Sequence, residues 1–407
     1  MAELKIENFG PIRRGCEFGF MKINDVTVFI GDQGSGKSTI AKVYSTLSWI
    51  EKALFRGDFK LNYLKQYNRF KKQLGYQNIE NYFKEDTLIH YKGYVYEIIF
   101  SYNSLEIYHQ PTQEYRFPKI MYVPAERNFL SVVETPSSLK RLPSALYTFL
   151  DEYENAKQNL QKPLKLPIGR VSFEYRKQNK SSFIIGENFR IKLQEAYSGF
   201  QSIVPLFLVT QYLVEKINRK ENPSKKEISV DEKRRIEKEI DNIYSNPNIS
   251  EEVRKLSLER LSARFTYNSL LNIVEEPEQN LFPSSQKDVL FSLLKSQNQF
   301  RGNKLLITTH SPYIVNCLTL AVKAKVIFKK SKGKNLEGIT KEKIDKLIPL
   351  GSLIDPNQLS VYQLTNEGKI EELANYQGIP SDSNFLNQFL QESNELYDQL
   401  LEIEDEL

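Results

Sequence analysis

The sequence predicts an α/β fold built on a parallel sheet whose strands end in polar, ligand-facing turns. Three stretches carry that prediction. The apolar run Val26–Ile30 leads directly into Gly31-Asp32-Gln33-Gly34-Ser35-Gly36-Lys37-Ser38, which matches GxxxxGK[ST] at every fixed position. A second apolar run, Leu270–Val274, ends in Glu275-Glu276, and a third, beginning at Lys304, ends in Thr308-Thr309-His310. Short apolar runs with polar ends read as strands buried on both faces.

The first stretch has the context its motif needs. A strand ends, glycines let the backbone fold tightly, and a helix runs from about Ser38 to about Phe55. The inward N–H groups form a nest for phosphate oxygens. Lys37 is placed to reach the β- and γ-phosphates, and the Ser38 hydroxyl to join a Mg²⁺ shell. Residues Gly31 to Ser38, with Thr39 beside them, are the candidate nucleotide contacts of a P-loop NTPase.

Glu275 and Glu276 leave their strand at the carboxyl end of the sheet, where ligands bind in such folds. Glu275 suits the orientation of Mg²⁺ or its water, and Glu276 the polarisation of an attacking water. The bland alternative is a solvated acidic turn. His310 is one of three histidines and follows the acidic pair closely, where it can hydrogen-bond a γ-phosphate and sense its presence. His90 and His109 lie in strand-like, tyrosine-rich sequence and receive no role. A further polar exit, Pro124-Ala125-Glu126-Arg127-Asn128, leaves two readings open for Glu126 and Arg127: contact with metal or phosphates, or a surface salt bridge. Ala196-Tyr197-Ser198-Gly199-Phe200-Gln201-Ser202 precedes an apolar helical run from about Ile203 to Leu213. A helix start favours anions, yet taken alone this stretch reads as an ordinary serine cap.

Together and in order, these pieces resemble an ABC-type ATPase head of the SMC/RecF/OLD-like group. The resemblance makes Gly31–Ser38 a Walker A motif, Leu270–Glu276 a Walker B motif, Ser198-Gly199-Phe200-Gln201 a degenerate signature and His310 the switch histidine. It covers roughly residues 1–330, and Leu4–Ile12 is similar to the first strand of such heads. Glu275 stands where Asp is usual, and the Tyr122–Arg127 stretch lacks the Q-loop glutamine. The signature, the Glu275-Glu276-Pro277-Glu278 run and the short length also resemble the soluble ATPases of bacterial anti-phage systems, such as PtuA of Septu and AriA of PARIS.

The resemblance implies a mixed central sheet flanked by helices, additional antiparallel strands and a short helical insertion. It implies ATP and Mg²⁺ as cofactors and ATP hydrolysis. Two heads would pair head-to-tail, each ATP lying between Lys37 of one copy and Ser198, Gly199 and Gln201 of another. A separate effector such as a nuclease, in antiviral defence, is the partner implied. The competing implication is a DNA-repair or chromosome-handling clamp, and a non-hydrolysing scaffold is a third class.

Composition bounds the rest. With 56 basic and 51 acidic residues among 407, the net charge of +5 permits nucleic-acid contact without arguing for it. Cys16 and Cys317 lack metal-ligand spacing, no apolar run reaches membrane-span length, and no signal peptide opens the chain. A cytoplasmic setting without a membrane partner is expected. No Asp-x-Asp pair and no His/Cys cluster marks a nuclease on this chain.

Four segments are expected: a head at 1–217, a charged helical insertion at 218–261, the rest of the head at 262–328 and an extension at 329–407. Residues 56–86 read as helical and 129–165 as helical and loop-rich. Hairpins are expected at Leu88–His109, turning at Lys92-Gly93 and Asn103-Ser104, and at Val171–Arg176 with Ser181–Gln194. The insertion carries a Ser229/Glu232 capping box and the spaced pairs Asp231/Arg235 and Arg235/Glu239. It reads as a solvated helical hairpin, or more sharply as a remnant arm for a partner or DNA. After Ser311 a helix and a strand at Lys325–Phe328 are expected. A basic loop, Lys329–Lys334, a strand, Leu359–Leu364, and an acidic helix from about Asn384 to Ile403 complete the chain.

Overall fold

The computed structural model describes residues 1–16, 19–58, 60–111, 115–133, 136, 141–219, 240–241, 245, 254, 267–333, 337–376 and 378–405. The capping-box and ion-pair positions expected of the insertion, Ser229, Asp231, Glu232, Arg235 and Glu239, lie outside the described residues. Strands β1 (Ala2–Phe9), β2 (Gly15–Cys16), β3 (Met21–Ile23) and β4 (Val26–Gly31) lead into helix α1 (Lys37–Arg56). Two short helices, α2 (Leu61–Lys65) and α3 (Arg69–Leu74), precede strands β5 (Phe83–Lys92), β6 (Tyr96–Ser101), β7 (Ser104–His109) and β8 (Pro118–Val123). Helices α4 (Phe129–Val132) and α5 (Ser144–Asn159) follow. Then come strands β9 (Leu164–Lys165), β10 (Ser172–Arg176), β11 (Ser181–Ile185) and β12 (Arg190–Lys192), and helix α6 (Ser198–Asn218). The carboxyl half holds β13 (Ser269–Glu275), α7 (Pro283–Gln297), β14 (Lys304–Thr309), α8 (Pro312–Ser331), α9 (Glu337–Leu347), β15 (Leu359–Leu364), β16 (Lys369–Glu372) and α10 (Phe385–Asp405).

The central sheet has seven strands in the order β2-β16-β15-β4-β14-β13-β8. Strands β15, β4, β14, β13 and β8 are mutually parallel, and β16 runs antiparallel to β15. Every residue of β4 and β13 is buried, which is why both read as unbroken apolar runs. Side chains alternate between two layers. Val26, Val28 and Ile30 join the core formed with α5, α6, α7 and α8, whereas Phe29 joins the core under α1. That second core is closed by a five-stranded antiparallel sheet, β3-β1-β5-β6-β7, and a four-stranded one, β12-β11-β10-β9, lies against the first. This is a mixed α/β architecture of the kind expected for a P-loop NTPase, with a largely parallel central sheet and added antiparallel strands.

Several expected elements differ. Residues 325–328 are not a strand, because α8 runs unbroken from Pro312 to Ser331. Ser311 caps it by accepting from the Tyr313 N–H, and Ile314, Leu318, Ala321 and Val322 bury one helical stripe that outweighs the β-branched residues beyond it. The expected basic loop is largely the last turn of this helix. Lys329 and Lys330 sit at its negative end, and Lys329 pairs with Asp355; Lys334 lies outside the described residues. Ser181–Gln194 is two strands rather than one, since a turn at Gly186, whose N–H reaches Phe189 O at 2.9 Å, divides it. Residues 56–86 hold only short helical turns, and β5 begins at Phe83.

Candidate functional site

The order β4-β14-β13 brings three strand ends to one edge of the sheet. Ile30 pairs with Thr309, and Thr308 with Glu275. The phosphate loop, His310 and the acidic pair therefore meet there, at the carboxyl ends of parallel strands.

The loop's glycines have distinct tasks. Gly36 adopts φ 108° as the residue before α1, whose start has no side-chain cap. Its first N–H groups are left for an anion. Gly31 has φ 144°, and a Cβ there would lie 2.5 Å from Leu364 O, so only glycine passes β15 at that point. Asp32 accepts from Asn366 Nδ2 at 2.7 Å, clasping the loop to the turn after β15. Gln33 and Gly34 are exposed, Ser38 is half-buried, and Thr39 is buried. Ser35 is buried with its hydroxyl unpartnered.

Lys37 folds back on its own loop. Its Nζ donates to Gly31 O at 2.8 Å and Asp32 O at 2.7 Å, and lies 3.4 Å from His310 Nδ1. Burial pulls this ammonium down to about 8, against the nearby carboxylates of Glu276, Asp32 and Glu278. On the far side of the imidazole, His310 Nε2 lies 3.5 Å from Glu276 Oε1. Lys37, His310 and Glu276 thus form one continuous chain of polar side chains. The His310 hydrogen bond holds the Glu276 carboxyl below its usual range, with the charges of His310, Arg127 and Lys37 adding to it.

The exit from β13 is tightly constrained. Glu276 has φ 43°, left-handed backbone that a glutamate rarely adopts, and its N–H donates to Thr308 O at 2.8 Å. Arg127 holds this turn. It is wholly buried and donates to the carbonyls of Glu275 and Glu276, both at 2.6 Å, and to those of Pro124 and Ser202, both at 3.2 Å. Neither reading left open for Arg127 in the sequence, a phosphate contact or a surface salt bridge, describes this clamp. Glu126 is exposed. Glu278 had no expected role, yet it is half-buried and accepts from Thr309 Oγ1 and the His310 N–H, both at 2.8 Å. It fixes the turn that presents His310, and burial raises its carboxyl pKa.

Ser198 is exposed and is the first residue of α6; the cap position is Tyr197, which makes no side-chain cap bond. The ordinary serine-cap reading is therefore incorrect. Gln201 turns inward and donates to Gln194 O at 2.9 Å and Leu193 O at 3.4 Å. Gly199 packs under Asn280, where a Cβ would lie 2.9 Å from the backbone oxygen, and Asn280 Nδ2 donates to Ser202 Oγ at 3.2 Å. The structure joins the start of α6 to the acidic turn through Arg127 and Asn280. Among the described residues, no hydrogen bond joins Ser198, Gly199 or Gln201 to the phosphate loop.

The residues fit a Mg²⁺ ion. Glu275 is 4% exposed, its Oε2 accepts from Ala125 N–H at 3.3 Å, and its Oε1 has no partner. An unmatched buried carboxylate oxygen is costly unless a cation completes it. Glu275 and Ser38 would hold the ion, which supplies charge neutralisation at the phosphates when bound. Among the described residues there is no cluster of three or more His, Cys, Asp or Glu able to hold a metal by itself. His90 instead meets Glu97 at 2.6 Å, and His109 contacts the Tyr96 ring edge-to-face. Cys16 and Cys317 are buried and not joined in a disulfide, and no described helix is long and apolar enough to cross a membrane.

Fold and site together define a nucleotide-binding P-loop ATPase. The chain belongs to the family described as "AAA domain, putative AbiEii toxin, Type IV TA system", whose match spans residues 26–316. No curated protein matches it. Among solved structures, the SMC head domain from Thermotoga maritima is similar at 10% identity and a TM-score of 0.36, over 77% of this chain and 90% of that one. An SMC head bound to the C-winged helix domain of ScpA gives 8% identity over the same shares, with a TM-score of 0.36.

Proposed function

We propose that this chain hydrolyses ATP with Mg²⁺ and that two copies complete each active site head-to-tail. The observation that carries this is the Lys37–His310–Glu276 chain of contacts, with Ser198 exposed at an uncapped helix start outside it. Gly31 to Thr39 cradle the triphosphate, and Lys37 exchanges its two loop carbonyls for phosphate oxygens. Glu276, kept ionised by His310, accepts the proton of the attacking water. His310 lies between that base and the lysine and registers whether the γ-phosphate is present. Ser198, Gly199 and the N–H groups of α6 from a second copy close over the same phosphates, and Gln201 supports that turn from within. Binding energy for ATP then becomes association energy, which hydrolysis releases.

The biological reading is a nucleotide-gated sensor and scaffold in a cytoplasmic anti-phage complex, controlling a separate effector such as a nuclease. The family's description, which names a toxin of a TA system, supports a partnered arrangement. Units of head, insertion and extension at 1–217, 218–261, 262–328 and 329–407 remain the proposed division. Co-expression with the products of neighbouring genes tests the reading: a stable complex whose effector activity changes with ATP supports it. Absence of any complex with and without nucleotide contradicts it. Phosphate release assays on the isolated chain test the chemistry separately.

A further inference from the structure

A second cavity, of about 350 Å³, opens between α1, α3, α5 and β8, away from the phosphate loop. Its walls include Trp49, Lys52, Gln77, Tyr122 and Tyr267. Gln77 is 3% exposed and its Oε1 has no hydrogen-bond partner. A buried amide oxygen left unmatched is costly, so it calls for a donor from whatever fills the space. Two ammonium groups lie against one ring of the wall, one of them beside a buried carboxylate. Lys52 Nζ and Lys119 Nζ lie 5.1 and 5.4 Å from the centre of the same Tyr267 ring. Lys52 is 5% exposed and donates to Pro118 O at 3.3 Å. Lys119 also pairs with Glu152. The half-buried Trp49 adds a broad aromatic face.

Aromatic walls, one buried acceptor and an ammonium pair in a space of this size match a small planar heterocycle carrying an amino group and an anion. We propose that this cavity binds a nucleoside monophosphate, its base against Trp49 with a base N–H donating to Gln77, and its phosphate at Lys52 and Lys119. Tyr122, on the cavity wall, precedes by three residues the Ala125 N–H that binds Glu275. The cavity is thereby one short segment from the metal-facing acid. The site is distinct from the ATP site and does not depend on whether the chain hydrolyses ATP.

Calorimetric titration of the full chain with AMP, GMP, CMP and UMP tests this. At least one is expected to bind with a one-to-one stoichiometry, and equally well in Lys37→Ala, where the phosphate loop is disabled. Gln77→Leu is expected to weaken that binding about tenfold or more. The same variant should melt no lower than the parent, because it removes an unmatched buried acceptor. Lys52→Met should weaken the monophosphate but leave the matching nucleoside unchanged. Saturable binding by none of the four, binding that survives Gln77→Leu at parental strength, or binding lost in Lys37→Ala would each overturn the proposal.

Discussion

The Arg127 guanidinium donates to the carbonyls of both Glu275 and Glu276 at 2.6 Å. One buried cation thereby holds the backbone on which the two acids stand, and through Ser202 O it also reaches α6. Burial pulls its pKa down to about 10, against the carboxylates of Glu278, Glu276, Glu275 and Glu126. It stays charged at neutral pH, with its donors spent on carbonyl oxygens. The left-handed φ of 43° at Glu276 persists because this arginine and Thr308 over-determine it.

Arg127→Lys keeps the charge but cannot reproduce a planar fork across several carbonyls. ATP affinity is expected to stay within about twofold, while kcat falls roughly 10–100-fold, a barrier increase of about 1.4–2.7 kcal/mol. Parallel measurement of Kd and kcat checks the split. Arg127→Met strands the carbonyls altogether, and a stability loss of about 3–5 kcal/mol is expected in denaturant unfolding.

Glu276→Gln replaces the proposed base and keeps its shape. Turnover should drop by about 10²–10⁴-fold with ATP binding retained. Hydrolysis at the parental rate would assign the proton acceptor elsewhere.

Lys37 sets a pH dependence. Its pKa is about 8 in the folded chain against 10.5 ordinarily. The unfolded chain therefore binds more protons between these values, and the penalty of burying this ammonium fades as pH rises through that window. Nucleotide binding has the opposite sign, because a neutral amine no longer pairs with phosphate. ATP affinity should fall above about pH 8, approaching tenfold per unit. A pH series of Kd values checks this, and Lys37→Arg should flatten the slope even if it binds more weakly, since guanidinium does not titrate there.

Glu278 is expected to be structural. Glu278→Ala leaves the Thr309 hydroxyl and the His310 N–H without their acceptor and should cost about 1–3 kcal/mol of stability. Glu278→Gln keeps an acceptor oxygen and should cost less than half as much. Thermal melts of the two variants side by side decide it.

Much of this was legible in the chain because parallel strands buried on both faces announce themselves. The runs at Val26–Ile30, Leu270–Val274 and Lys304–Thr309 lie in β4, β13 and β14, and their polar ends had to meet once the strands lay side by side. What escaped depends on distant partners. Arg127 looks like a surface residue until Ser202 and Glu276 come around it. Asn366 sits far along the sequence from Asp32, and no local pattern foretells their contact. Glu278 had a weak signal as the third acid of the Glu275-Glu276-Pro277-Glu278 run. The strand expected at Lys325–Phe328 followed local β-propensity, which the buried stripe of α8 overrode.

The central claim is that two copies share each triphosphate. The most direct measurement is the solution mass of Glu276→Gln with and without ATP and Mg²⁺, alone and with the added substitution Ser198→Arg at an exposed position. A dimer that forms only with ATP, and not in the doubly substituted chain despite intact ATP binding, is the expected result. A monomer under every condition, or a dimer indifferent to Ser198→Arg, would contradict the account.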